Sequence, residues 1–207
     1  SKLSLNYHRR INDRIYSSIF ERIGKNAFIV SIGGGGRREH PDFVNLDIAL
    51  FPEVDIVGNA HALPFINESL DAVIINAVLE HVEDPFLVVE KIERVLKIGG
   101  FIYAEVPFIQ PFHPYPNDYF RFTIEGLKKL LSHFKEIECG TVIGPISAML
   151  NLFQAQILTL FRNRFLRILA FGFTLVLLPL KYVDKIIGFK GQKSITCASA
   201  FYFFGKK

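Results

Sequence analysis

Four consecutive glycines, Gly33-Gly34-Gly35-Gly36, follow the apolar run Phe28-Ile29-Val30-Ser31-Ile32, and Asp47 closes the next apolar segment fourteen residues after Gly33. Glycines directly behind a buried strand let the main chain turn tightly against a ligand that a Cβ would exclude. A carboxylate at the end of the following strand can accept hydrogen bonds from both ribose hydroxyls of a nucleoside. Asn59, Asn76 and His113 each follow a further strand-like segment. A histidine placed there can take a proton near neutral pH. The stretch Pro107 to Thr123 adds Asp118 and Arg121 among prolines and aromatics. It reads as a rigid pocket wall in which Asp118 or Arg121 orients His113 or an acceptor, or as a loop in which the two pair with each other. No His, Asp or Glu cluster has metal-ligand spacing, so no metal is implied.

The elements that must position these groups follow from periodicity. Ile11, Ile15, Ile19 and Ile23 recur every four residues, which predicts a helix over 6–24 ended by Gly24. Strands are expected at 28–32, 43–47, 54–58, 70–76, 101–106, 134–142 and 195–204. A helix is expected over 78–96, stopped by a turn at Lys97-Ile98-Gly99-Gly100, and a short one from the cap Thr123 to Leu131. The links between the first three strands are too short for full crossover helices. The N-terminal helix is therefore expected to cover that face of the sheet. The result is an open, mostly parallel α/β sheet. Gly33, Asp47, Asn59, Asn76 and His113 all fall at the carboxyl ends of its strands, the edge where such sheets bind ligands.

The 207 residues carry a net charge of +4 and include 21 phenylalanines, no tryptophan and two cysteines. Half of the residues are hydrophobic, and the mean hydropathy is +0.27. The length suits a single domain, organised as an N-terminal helix (1–24), a core (25–145), an apolar helical excursion (146–189) and a last strand (190–207). Scattered basic residues without interleaved aromatics argue against nucleic-acid binding. Cys139 and Cys197 lack metal spacing, lie in predicted strands and read as buried thiols, which favours a reducing cytosol. The run Ile168–Leu180 has no charge for 13 residues, with Arg162, Arg164 and Arg167 before it and Lys181 and Lys185 after it. It reads either as a lid of two helices burying apolar faces, or as a segment (152–187) that contacts the inner face of a membrane.

Several ordered motifs then carry a resemblance. Gly58-Asn59-Ala60-His61-Ala62-Leu63-Pro64-Phe65, Leu70-Asp71-Ala72-Val73, Val78-Leu79-Glu80-His81-Val82 and Arg94-Val95-Leu96-Lys97-Ile98-Gly99-Gly100 occur in that order. Over about residues 28–131 the chain resembles the class I S-adenosylmethionine-dependent methyltransferases, in particular the methyltransferase type 11 group. The resemblance implies a Rossmann-like, mostly parallel seven-stranded sheet, with shortened N-terminal crossovers and a helical insertion before the last strand. It implies S-adenosyl-L-methionine as cofactor, with Gly33 and Gly35 near its methionine part and Asp47 on the ribose hydroxyls. Ile48 would pack on the adenine, Asn59 and Ala60 would meet its edge, and Asn76 would line the cofactor. Three positions depart from the family pattern: Ser31 replaces a frequent acid, Arg37 replaces the third glycine, and Asn59 replaces the adenine-side carboxylate. The expected activity is methyl transfer to a hydroxyl of a small molecule, sugar or lipid-linked glycan, with His113 as general base. Two other readings use the same turn: a non-catalytic cofactor-binding module that acts through a partner or membrane, and a nucleotide-sugar enzyme on a similar sheet.

Overall fold

The computed structural model describes residues 11–24, 26–114, 116–187 and 192–207. Residues 6–10 of the expected first helix and 188–189 of the excursion lie outside the described residues. The chain divides into two compact units. Among the described residues, one comprises those of 11–106, 114–139 and 202–207, and the other those of 107–113 and 140–201.

The strands are β1 (Ile29–Ile32), β2 (Val44–Asp47), β3 (Ile56–Val57), β4 (Leu70–Asn76), β5 (Leu96–Pro107), β6 (Lys135–Ile143) and β7 (Ala200–Lys206). Their order in the sheet is β3-β2-β1-β4-β5-β7-β6. The pairs β1–β2, β1–β4, β2–β3 and β4–β5 are parallel. Strand β7 runs against β5, since Gly99 and Gly100 bond to Lys207 while Tyr103 packs on Tyr202. This is the sheet that the sequence predicts. Ile29, Val30, Ala72, Val73, Ile74, Ile75, Ile102 and Ala104 are buried, as expected of strands covered on both faces.

No helix forms among residues 33–43 or 48–55, so the shortened crossovers are real. Helix α1 (Ile11–Ile23) supplies the missing cover. Ile11, Ile15 and Ile19 are at most 1% exposed, and Tyr16 meets Phe43 and Tyr103 edge-on. Arg22 lies over the Phe101 ring, and Arg14 pairs with Glu138 of β6. The helix thus crosses the sheet face from the approach to β2 to β6. Burying three isoleucines stabilises this arrangement by about 1.5–3 kcal/mol each.

Three boundaries differ from expectation, each for a local reason. Helix α2 spans Pro85–Val95 and begins seven residues later than predicted. Ala77 has a φ of 53°, whereas Asp84 caps the N–H of Leu87 and Pro85 occupies the first turn. Lys97–Gly100 is not a terminating turn but a wide bulge at the start of β5, between the pairs Leu70–Leu96 and Ala72–Phe101. Gly99, at φ 84°, allows that bulge and donates to Lys207. The short helix α3 (Ile124–Leu130), capped by Thr123, matches the sequence reading. Strand β7 begins at Ala200 rather than Ile195, because residues 192–195 form a helical turn; Cys197 is consequently exposed outside any strand. Cys139 lies in β6, half-buried, and neither thiol is in a disulfide.

Helices α4 (Pro145–Leu160), α5 (Arg164–Val176) and α6 (Val183–Ile187) occupy the expected excursion, with a 3-10 turn at Leu178–Tyr182. They do not bury apolar faces as a lid would. Helix α5 buries only Ala170 and Thr174.

Candidate active site

Strand β1 delivers the chain to Gly33, whose N–H donates to the Leu46 carbonyl at 2.7 Å. Its φ is 75°, and a Cβ there would lie 2.2 Å from Val78 Cγ2. Only glycine fits this turn. Two residues on, the Gly35 N–H donates to Asp47 Oδ2 at 2.9 Å, and the Ala49 N–H donates to Asp47 Oδ1 at 2.9 Å. The Asp47 residue is 8% exposed. Each of its carboxylate oxygens thus carries one backbone bond, and a carboxylate oxygen can accept two. A vicinal diol matches that remaining capacity.

A polar brace holds this turn where a crossover helix is absent. The Asn45 side chain donates to the carbonyls of Gly35 and Glu53. Arg38 forks onto Asp55 at 2.7 and 2.8 Å and donates to the Phe43 carbonyl. The Arg38 guanidinium, with the Asn45 N–H, holds the Asp55 carboxyl down to about 2. Beyond Asp47, Ile48 is 66% exposed, as suits an apolar side chain placed to meet a flat ring. Asn59 caps the 3-10 turn Ala60–Ala62, and its Oδ1 accepts the N–H of His61. Asn59 Oδ1 also lies 3.0 Å from His61 Nδ1, so the side chain is held at the turn by its own neighbour. Ala60 is buried beside it.

At the ends of β4 and β5 lies a cluster that the sequence reading missed apart from Asn76. The Asn76 amide donates to both Glu39 oxygens, at 2.9 and 2.8 Å, and to the Tyr16 hydroxyl at 3.1 Å. Tyr16 also donates to Glu39. Asn76 Oδ1 is buried with no hydrogen-bond partner among the described residues, as is Ser31 Oγ. Next to it, the Tyr103 hydroxyl bonds Glu105 Oε1 at 2.5 Å and Asn12 Oδ1 at 3.0 Å. Burial pushes the Glu105 carboxyl up to about 7, aided by the charge of Glu39 and opposed by the Tyr103 bond. Glu105 was legible in principle, as an acid at the carboxyl end of a buried strand. Glu39 was not, because it reaches the cluster from an irregular loop.

Glu80 and His81 sit under residues 117–121. The N–H groups of Tyr119 and Phe120 donate to the Glu80 carbonyl, and His81 Nδ1 bonds the Asn117 carbonyl. His81 therefore ties the strand end to this loop, in keeping with a structural role. Arg121 grips Asp118 with both terminal nitrogens, one bond measuring 2.6 Å, and the Asp118 side chain is 1% exposed. The expected pairing of Asp118 with Arg121 is thus present. Glu80 is fully buried, with both carboxylate oxygens lacking hydrogen-bond partners among the described residues. Desolvation raises its carboxyl to about 7. His113 belongs to the second unit. Its Nδ1 lies 2.8 Å from the Pro111 carbonyl, which can only accept, so the Nδ1–H tautomer suits this contact.

Residues 40–104 match the family model described as a methyltransferase domain, Methyltransf_11. The chain therefore matches a methyltransferase domain over about a third of its length, within the fold of the class I methyltransferases. The cofactor that such a domain implies is S-adenosylmethionine. No curated protein sequence matches the chain. Among solved structures, an S-adenosylmethionine-dependent methyltransferase from Archaeoglobus fulgidus is 14% identical, with a TM-score of 0.58 over 95% of this chain and 92% of that one. The 1,6-didemethyltoxoflavin-N1-methyltransferase of Burkholderia thailandensis, solved with S-adenosylhomocysteine, is 13% identical, with a TM-score of 0.54 over 92% and 75%. The [4+2]-cyclase SpnF is 14% identical, with a TM-score of 0.57 over 94% and 81%. The domain's glycine turn and Asp47 fit the cofactor. When bound, the cofactor supplies an electrophilic methyl on a sulfonium. Asp47 would hold the ribose and the Gly33 turn would lie against the methionine part, beside the exposed Ile48 side chain.

Proposed function

We propose that this methyltransferase domain transfers a methyl group to a hydroxyl oxygen of a small-molecule, sugar or lipid-linked glycan acceptor, with His113 taking the hydroxyl proton. The observation that carries the cofactor part is Asp47: a nearly buried carboxylate with one backbone bond on each oxygen, beside a turn that admits no Cβ. Methyl transfer is an in-line displacement, so much of the rate comes from positioning the two reactants. An oxygen nucleophile also has to lose its proton, and an imidazole is the side chain suited to take it near neutral pH. Asp118 and Arg121 act as an ordered pair in the same stretch of chain that orients the acceptor.

Calorimetry with S-adenosylhomocysteine tests cofactor binding. Turnover of a methyl-labelled cofactor against a panel of hydroxyl, amine and carbon acceptors then tests the chemistry. Binding without turnover on any acceptor would favour the cofactor-binding module. Transfer confined to amines would overturn the oxygen assignment.

A further inference from the structure

Helices α4 and α5 form an antiparallel pair held at one end by Asp184. That residue is 1% exposed and caps the start of α4, accepting the N–H groups of Ile146 and Ser147 at 2.9 Å each. Midway along, Gln154 donates to Thr174 Oγ1 at 2.7 Å, which satisfies the one polar side chain on the buried strip of α5. The rest of α5 is turned outward. Phe165, Ile168, Leu169, Phe173 and Val176 are between 54% and 73% exposed. From Arg164 to Ile186 the chain is apolar enough to cross a membrane, and only 17% of its most apolar stretch is buried. A helix apolar on nearly every side and left uncovered is not a water-facing element.

The charges around it have one sign. Asp184 is the sole acid in residues 144–187, and it is buried. Arg162, Arg164 and Arg167 are exposed. They line an open cleft of about 510 Å³ at the hairpin tip, together with Leu158, Ile168 and Phe171. Guanidinium groups over an apolar floor match the boundary between lipid phosphates and acyl chains. A protein partner would meet the same arginines without any acid from this hairpin to balance them.

We infer that residues 145–187 form a monotopic anchor that lies in the plane of an anionic bilayer, with the outer face of α5 in the acyl layer and Arg162, Arg164 and Arg167 on the lipid phosphates. The sixteen residues of α4 extend about 24 Å, short of the ~30 Å hydrocarbon core. Upright insertion would also carry the three arginines of the tip into that core. Lying flat, the helices keep their arginines at headgroup level.

The chain has no tryptophan, so Phe173→Trp supplies a single fluorophore on the outer face. With vesicles of equimolar phosphatidylcholine and phosphatidylglycerol, the protein is expected to float with the lipid. Its emission should shift to the blue, and quenchers placed shallow in the acyl chain should act more strongly than those near the bilayer centre. Phosphatidylcholine alone should bind far more weakly. The Arg162/Arg164/Arg167→Ala variant should lose about a hundredfold in affinity for the anionic vesicles, while S-adenosylhomocysteine binding shows that it remains folded. Protein that stays with the soluble fraction at low salt overturns the inference. So does deep quenching, which would mean a span, and so does lipid-independent self-association that buries the introduced indole against a second copy.

Discussion

Asp47 concentrates the residue-scale evidence for cofactor binding, because both its oxygens are aimed by backbone N–H groups rather than by mobile side chains. Asp47→Ala removes charge-assisted hydrogen bonds worth about 1.5–3 kcal/mol. Affinity for S-adenosylhomocysteine should fall at least about tenfold by calorimetry, and equal affinity in the variant would exclude the ribose role. His113→Ala should lower turnover by about 10²–10⁴-fold with cofactor affinity unchanged. Near wild-type turnover would mean that the acceptor loses its proton elsewhere. Asp47 was legible in the sequence because it closes a short apolar strand, where the side chain's direction follows from strand geometry. Glu39 and Tyr16 were not, since their meeting at Asn76 depends on where α1 and the 33–43 loop come to rest. The cap that Asn59 forms was not legible either. Its oxygen accepts the N–H of His61 only once the 3-10 turn at Ala60–Ala62 has formed.

At the scale of elements, the strands were the most legible part, since burial on both faces leaves continuous β-branched runs. Helix starts were less so. The apolar spacing from Val78 onward looks helical, but Asp84 and Pro85 set the first turn, and Ala77 has left the extended conformation before it. The bulge at Lys97–Gly100 reads as a turn because glycine pairs serve both purposes; only the bonds with Lys207 distinguish them. The close packing of the glycine turn on Val78 has a measurable signature. Gly33→Ala should destabilise the protein by about 1–3 kcal/mol through its positive φ and by more through the contact with Val78. Adding Val78→Ala should recover the steric part but not the backbone part. Chemical denaturation of both single variants and the double variant measures this, and strictly additive effects would show that the clash does not matter.

For the molecule as a whole, two desolvated acids set an unusual dependence on pH. Glu80 and Glu105 are both raised to about 7, whereas an unfolded glutamate titrates near about 4.3. The folded state therefore holds more protons between those values. Their contribution to stability is fully present below the unfolded value and is lost as pH rises through about 7. Melting temperatures should be lower at about pH 8 than at about pH 5.5, and Glu80→Gln with Glu105→Gln should flatten that slope. A slope equal in variant and parent would mean that neither acid is protonated in the folded protein. The cover provided by α1 has a consequence of another kind, in time rather than in space. Asn76, Tyr103 and Glu138 follow their contacts in α1 by 60, 91 and 124 residues. A thirteen-residue helix is marginal on its own, and each of these contacts closes a long loop. During synthesis α1 thus precedes every strand it covers and can be secured only after they have paired, so its apolar face remains open to other chains until most of the protein has been made.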